Sequence, residues 1–165
     1  MKVAVTVGAG KVRSVTFYRG EMTKEKYGNM IRDVWSDDIH QVAKDSKISA
    51  NHVYFMRDND PKSRDRFAES DAGFKLIAQE PDSPETNVLD YSIWHKVDTD
   101  MHLEELEWLE AHPNREWKET QTQFEYRLER HLYSLPSSYI RKSMGSLKRR
   151  CRDIVANDGD LLIND

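Results

Sequence analysis

The sequence predicts an α/β fold that ends in helices. Three patterns point to it. Apolar residues alternate with polar ones at the start of the chain, short apolar runs then flank one amphipathic helical stretch, and from Val88 onward the apolar residues fall at helical spacing.

The first element is a strand carrying Val3, Val5 and Val7 on one face. Gly8-Ala9-Gly10 is turn chemistry, and Val12, Val15, Phe17 and Tyr18 form a second strand that stops at Gly20, so the two make a hairpin. Gly10-Lys11 is not a phosphate loop. That motif needs a longer glycine-framed loop and a Ser or Thr after the lysine, and Val12 stands there.

Thr23 is suited to cap a helix over 24–44, whose stripe is Tyr27, Met30, Ile31, Val34, Trp35, Ile39 and Val42. A loop over 47–51 leads to a short buried strand, His52 to Met56, which ends at Arg57-Asp58-Asn59-Asp60-Pro61. A weak helix is expected over 62–70. Phe74, Leu76 and Ile77 give another strand, stopped by Pro81 and Pro84.

Three helices follow. One runs from Val88 to Ala111, with Leu89, Ile93, Val97, Leu103, Leu106 and Leu109 inward. One spans 115–133, with Trp117, Phe124, Leu128 and Leu132 on a single face. The last is capped by Ser137 or Ser138 after the breaker Pro136, carries Ile140, Met144, Leu147, Cys151 and Ile154 as its stripe, and ends at Asp158-Gly159.

Composition excludes several classes of protein. At 165 residues, 38% hydrophobic and 33% charged, the chain fits one ordinary domain with a core. No run of about 20 apolar residues predicts a membrane span, and the N-terminus lacks the apolar core of a signal peptide. One cysteine, Cys151, excludes an internal disulfide, and six scattered histidines lack zinc-ligand spacing. The net charge of −4 opposes nucleic-acid binding overall, but Arg141, Lys142, Lys148, Arg149, Arg150 and Arg152 form a basic block that suits phosphate contacts. The plainer reading of that block is a solvated helix face.

Two aspartates stand where a metal site would want them. Asp58 follows a buried strand, whose rigid end fixes a carboxylate, and Asp90 sits in the first turn of a helix. Carboxylates are hard oxygen ligands suited to Mg²⁺. Each aspartate also has a plainer role, Asp58 as a turn residue and Asp90 as a partner of the helix dipole.

Longer motifs carry a family resemblance. Phe55-Met56-Arg57-Asp58-Asn59-Asp60-Pro61-Lys62 resembles the Q-D-N-D-P-K-H segment of mariner-type DDE/D transposases, and Ser83-Pro84-Glu85-Thr86-Asn87-Val88-Leu89-Asp90-Tyr91-Ser92-Ile93-Trp94 resembles their S-P-D-L-N-P-I-D-Y-x-L-W. Gly10-Lys11, Phe17, Gly20-Glu21-Met22-Thr23 and Glu25-Lys26-Tyr27 are similar to the family's G-K-G…F…G-x-M-x-x-E-K-Y. Leu135-Pro136-Ser137-Ser138-Tyr139-Ile140 with Met144 and Leu147-Lys148-Arg149-Arg150-Cys151 is similar to tails of some protist members.

The resemblance implies a ribonuclease H-like mixed sheet over 1–111 and a C-terminal helical extension over 112–165. It implies Mg²⁺- or Mn²⁺-dependent phosphoryl transfer on transposon-end and target DNA, with Asp58 and Asp90 as catalytic metal ligands. A nuclear location in a eukaryotic host and a homodimer are further expectations, and no membrane partner is expected.

The chain departs from the family pattern in ways with physical consequences. The family's first catalytic carboxylate lies on a strand before the hairpin, and no acid here has that context. The expected sheet is therefore truncated at its first strand, leaving the hairpin and the strand ending at Asp58 either to flank a gap or to pair directly. Unpaired edges predict marginal stability or self-association, and two carboxylates predict no useful nicking. Only 31 residues separate Asp58 from Asp90, Ser63 replaces a usual His, Glu85 an Asp and Val88 a Pro. The competing readings are a domesticated nucleic-acid-binding module using the basic block, and an interaction scaffold using Trp108, Trp117 and Tyr126 as anchors.

Overall fold

The computed structural model describes residues 1–57, 69, 72–73, 75–79 and 83–159. Internal contacts divide the chain into two compact units, Met1–Ser83 and Pro84–Asp165.

The first unit opens with the expected hairpin, β1 (Lys2–Gly8) antiparallel to β2 (Lys11–Tyr18). Ala9 and Gly10 both take positive φ, 52° and 79°, as a two-residue turn matched to strand twist requires. Thr6 pairs with Ser14 but Val7 with Val12, so Arg13 is an extra residue in a bulge. The bulge turns Arg13 back onto the hairpin, where its Nε donates to the Gly8 carbonyl at 2.9 Å and its Nη1 lies 2.9 Å from Asp45.

The helical stretch begins at the expected cap. The Thr23 hydroxyl accepts from the Lys26 amide, and α1 (Lys24–Met30) passes through a π-helical turn, Ile31–Trp35, into α2 (Ser36–Ser46). The spacing of Tyr27, Met30, Ile31 and Trp35 gives one buried face. Against it pack Ala4 and Tyr18 from the hairpin and Phe55 from the next strand. Ile31 is fully buried, a contribution of roughly 1.5–3 kcal/mol. A polar pin adds to this face, because the Thr6 and Ser14 hydroxyls both donate to the Asp38 carboxylate, at 2.5 and 2.6 Å.

A 3-10 turn, Ala50–His52, delays the next strand, so β3 is Tyr54–Arg57 and starts later than the apolar run suggested. It pairs in parallel with β4 (Lys75–Ala78), Phe55 opposite Leu76. The expected helix over 62–70 lies outside the described residues except for Glu69. Among the described residues no ladder joins the hairpin to the β3–β4 pair, so the direct pairing considered from the sequence is not what is seen there.

In the second unit a 3-10 turn (Pro84–Thr86) and a π-helical turn (Leu89–Ile93) lead into α3 (Trp94–Ala111), followed by α4 (Gln121–Ser134) and α5 (Ser137–Ala156). Ile93, Val97, Met101, Leu128, Leu132 and Ile140 are buried. No helix among the described residues is long and apolar enough to cross a membrane.

Three sequence expectations are corrected here. First, α4 starts at Gln121 and leaves Trp117 outside it. A capping box sets the start: Gln123 N donates to Thr120 Oγ1 and Thr120 N to Gln123 Oε1. Trp117 still packs, edge-on to Trp108 with ring centroids 5.5 Å apart and under the Arg127 guanidinium at 4.9 Å. Of the three suggested anchors, only Tyr126 is exposed, at 69%.

Second, Leu103 and Leu106 face outward, 52% and 55% exposed. Neighbouring glutamates of α3 instead meet the cations of α4. Arg127, itself buried, pairs with Glu105 at 2.7 Å and with Glu119, while Glu104 receives Arg130 and His131.

Third, Met144 and Cys151 of the expected α5 stripe are exposed, and the inner line runs through Ile140, Ser143 and Arg150. Polar groups can lie inward there because they have hydrogen-bond partners on residues 85–92. The helix ends as expected, with Gly159 at φ 91° and its amide donating to the Ile154 carbonyl at 2.9 Å.

Candidate functional site

Asp58 lies outside the described residues, but the strand end that leads to it is well defined. Arg57 closes β3 with its guanidinium 3.0 Å from the Glu69 carboxylate and 5.5 Å from the Tyr27 ring centroid. The Tyr27 hydroxyl donates to the same Glu69 oxygen at 2.8 Å. All three side chains are buried or nearly so. Trp35 stands 5.3 Å from both the Tyr27 and the Phe55 rings, so the backbone before Asp58 is held by packing and by an ion pair together.

Asp90 is exposed in the π-helical turn Leu89–Ile93. Asn87 starts that turn: its side-chain oxygen accepts from the Leu89 amide at 3.1 Å, and its carbonyl accepts from the amides of Asp90 and Tyr91, each at 3.0 Å. An acidic side chain here complements the N-terminal end of the helix dipole. Burial of Val88 and Ile93 on either side fixes the turn to the unit's core.

Hydroxyl groups of α5 hold the residues next to Asp90. The Tyr91 hydroxyl donates to the Ser143 carbonyl at 2.6 Å, and the Ser92 hydroxyl is 2.7 Å from Ser143 Oγ and 2.9 Å from Tyr139 Oη. Burial pushes the Tyr91 phenol above its ordinary range, against the opposing Ser146 hydrogen bond and Arg150 charge, so the phenol remains a donor at neutral pH.

The basic block divides by face. Arg141, Lys142, Lys148, Arg149 and Arg152 are exposed on α5, whereas Arg150 is half-buried and donates from Nε to the Glu85 carbonyl at 2.8 Å. Sequence reasoning named the two aspartates and the cations but not the polar seam of Tyr91, Ser92, Ser143 and Ser146. A signal was present in Ser143, Ser146 and Arg150, which recur at helical spacing on one face.

Aspartate carboxylates are hard oxygen donors that suit a divalent ion with retained waters. Among the described residues no three of His, Cys, Asp and Glu converge on a metal position.

No family model matches the sequence, and no curated protein does. Solved structures do. The chain is similar to the catalytic domain of Mos1 mariner transposase at 14% identity, with 98% of this chain and 75% of that chain covered and a TM-score of 0.74. It is similar to the same domain with Raltegravir and Mn at 13% identity, covering 98% and 76%, again with a TM-score of 0.74. With Raltegravir and Mg the identity is 14%, the coverage 98% and 76%, and the TM-score 0.64. The chain therefore has the α/β, ribonuclease H-like fold of the mariner-type transposase catalytic domain.

Proposed function

We propose that this chain is transposase-derived and that its ancestral chemistry is metal-dependent cleavage and strand transfer on DNA, with Asp58 and Asp90 as ligands for Mg²⁺ or Mn²⁺. The observation that carries this reading is Asp90: an exposed carboxylate in a first helical turn, whose neighbour Tyr91 is tied to α5, in a chain with the mariner transposase catalytic fold. The similar Mos1 domains were solved with Mn and with Mg, which supports a divalent ion here.

Such an ion would stabilise charge on the attacking and leaving oxygens of a phosphodiester. The chain's own part is to supply the two carboxylates and to seat the DNA backbone on its cationic face. Two carboxylates are fewer than two-ion hydrolysis needs, so Asp58 and Asp90 by themselves support ion binding and not nicking.

Calorimetric titration of Mn²⁺ into the purified chain and its Asp58→Asn and Asp90→Asn variants tests the site. Weakened binding in both variants supports it, and unchanged binding in both sinks it. A plasmid-nicking assay with Mn²⁺ tests the rest. Nicking that is lost in Asp58→Ala would show the chain to be an active nuclease after all.

A second reading, a non-catalytic nucleic-acid-binding module, is favoured by the five exposed cations on α5. It predicts DNA affinity that Asp58→Asn and Asp90→Asn leave untouched. Under either reading work on DNA implies a nuclear location in a eukaryotic host. Self-association is also proposed, because β1 and β3 each have one ladder neighbour among the described residues. Sedimentation equilibrium of the chain tests for the dimer.

A further inference from the structure

Arg150 differs from the other cations of its block. Its Nε donates to the Glu85 carbonyl at 2.8 Å, and its guanidinium lies 4.3 Å from the centroid of the Tyr91 ring. Glu85 precedes Asp90 and Tyr91 follows it, so one side chain grips the chain on both sides of the carboxylate. The grip is continued along the helix. Ser146 Oγ approaches the Tyr91 hydroxyl at 3.4 Å, and that hydroxyl donates to the Ser143 carbonyl.

Such support matters because of the backbone it holds. Asp90 sits on a π-helical turn, a wide and uncommon geometry that recurs at functional sites. A metal ligand on such a turn needs its backbone held in place from outside the turn, since outer partners set the orientation of a ligating group. A guanidinium is suited to this task. It stays charged, presents several donors in a plane, and stacks on an aromatic face while it donates.

We propose that Arg150 is a positioning residue for Asp90 and not a DNA contact: it clamps the Glu85 carbonyl and the Tyr91 ring so that the carboxylate between them is held in one orientation. The proposal rests on the reading of Asp90 as a metal ligand and adds the group that holds it. It also divides labour on α5, whose inner face supports the carboxylate while its outer face offers cations to phosphate.

The test uses the full chain with Arg150→Met, which keeps the aliphatic stem but removes the donor and the charge, with Arg150→Lys as the conservative rescue and the exposed Arg115→Met as the surface control. Amide hydrogen exchange over 84–93 and Mn²⁺ affinity are read for each. Arg150→Met is expected to speed exchange over 84–93 and to weaken Mn²⁺ binding by about tenfold or more, the usual scale for loss of an outer partner. Arg150→Lys recovers part of both, and Arg115→Met changes neither.

Exchange over 84–93 that matches the unaltered chain overturns the proposal. So does acceleration spread evenly over α3 and α4, which would mark a general structural role. Asp90→Asn separates the two layers of the argument. If it leaves Mn²⁺ affinity unchanged, the metal reading fails, while the exchange data still decide whether Arg150 clamps the turn.

Discussion

Arg57 and Glu69 form a buried ion pair, 3.0 Å apart, at the end of the strand that leads into Asp58. The Glu69 side chain is 5% exposed and also accepts the Tyr27 hydroxyl, so one carboxylate ties the strand end to the first helix. Taking away the charge of one partner in a buried pair is costly, because the other charge keeps its desolvation penalty. Glu69→Gln retains an acceptor for Tyr27 and removes only the charge, and it should lower stability by about 3 kcal/mol in urea unfolding. Arg57→Met combined with Glu69→Gln, which keeps the acceptor for Tyr27, should recover part of that loss. A Glu69→Gln protein as stable as the parent would show that the pair contributes nothing.

Gly8 is fixed by space and not by φ. A Cβ built there would lie 2.5 Å from Val42 Cγ2, well inside contact distance, where the hairpin meets α2. Gly8→Ala should therefore destabilise the chain by about 1–3 kcal/mol, the usual cost of overpacking. Adding Val42→Ala to Gly8→Ala should restore part of the loss. Thermal melts of the two single variants and the double variant check this, and additive losses would refute the clash.

The sequence made some features legible because they depend on nearest neighbours. The turn at Ala9-Gly10, the Thr23 cap, the stripe of Tyr27, Met30, Ile31 and Trp35, and the stop at Gly159 all follow from local chemistry, and all are seen. Features that depend on partners far along the chain were not legible. Periodicity alone put Leu103 and Leu106 inside, whereas Arg127, Arg130 and His131 draw Glu104 and Glu105 to that side. Hydropathy likewise placed Met144 and Cys151 on the inner line of α5, where Ser143 and Arg150 lie because Tyr91, Ser92 and Glu85 offer them hydrogen bonds. Asp90 was picked out by its motif and by its place at a helix start. The groups that hold it were not, since nothing local links residue 91 to residue 143.

The contact between α3 and α4 should carry a pH dependence. Burial works to raise the Glu104 carboxyl, but hydrogen bonds from His131 and Arg130 outweigh it and hold the group below its ordinary value of 4.5. The distances are 2.6 Å to His131 Nε2 and 2.6 and 2.7 Å to Arg130 Nη2. A carboxyl whose folded value is depressed contributes stability that is present above its unfolded value and lost as the pH falls through the folded one. Since Glu104 is about one-third exposed, water screens the pair, and the contribution should stay under about 1 kcal/mol. Glu104→Gln should thus cost a fraction of a kcal/mol at neutral pH and less as the solution is acidified below the ordinary carboxyl value of 4.5. Urea midpoints for parent and variant should converge across that range, and a constant offset would count against the assignment.

If the chain binds DNA as proposed, the division of α5 into two faces sets how that binding responds to salt. Each phosphate contact by a lysine or arginine releases a counterion, so it adds about one unit to the slope of log affinity against log salt. Lys148 and Arg149 are exposed on the outer face, and Arg150 is engaged with Glu85 and Tyr91. Replacing Lys148 and Arg149 together by glutamine should reduce the slope by about two units and weaken binding to every duplex alike, because phosphate contacts carry no sequence information. Arg150→Met should leave the slope where it was. With a net charge of −4 repelling DNA elsewhere on the chain, these few cations must supply most of the attraction, so the change should be visible by fluorescence anisotropy at low salt. If Arg150→Met lowers the slope as much as Arg149→Gln does, the guanidinium leaves Glu85 to meet phosphate, and the basic block acts as one surface.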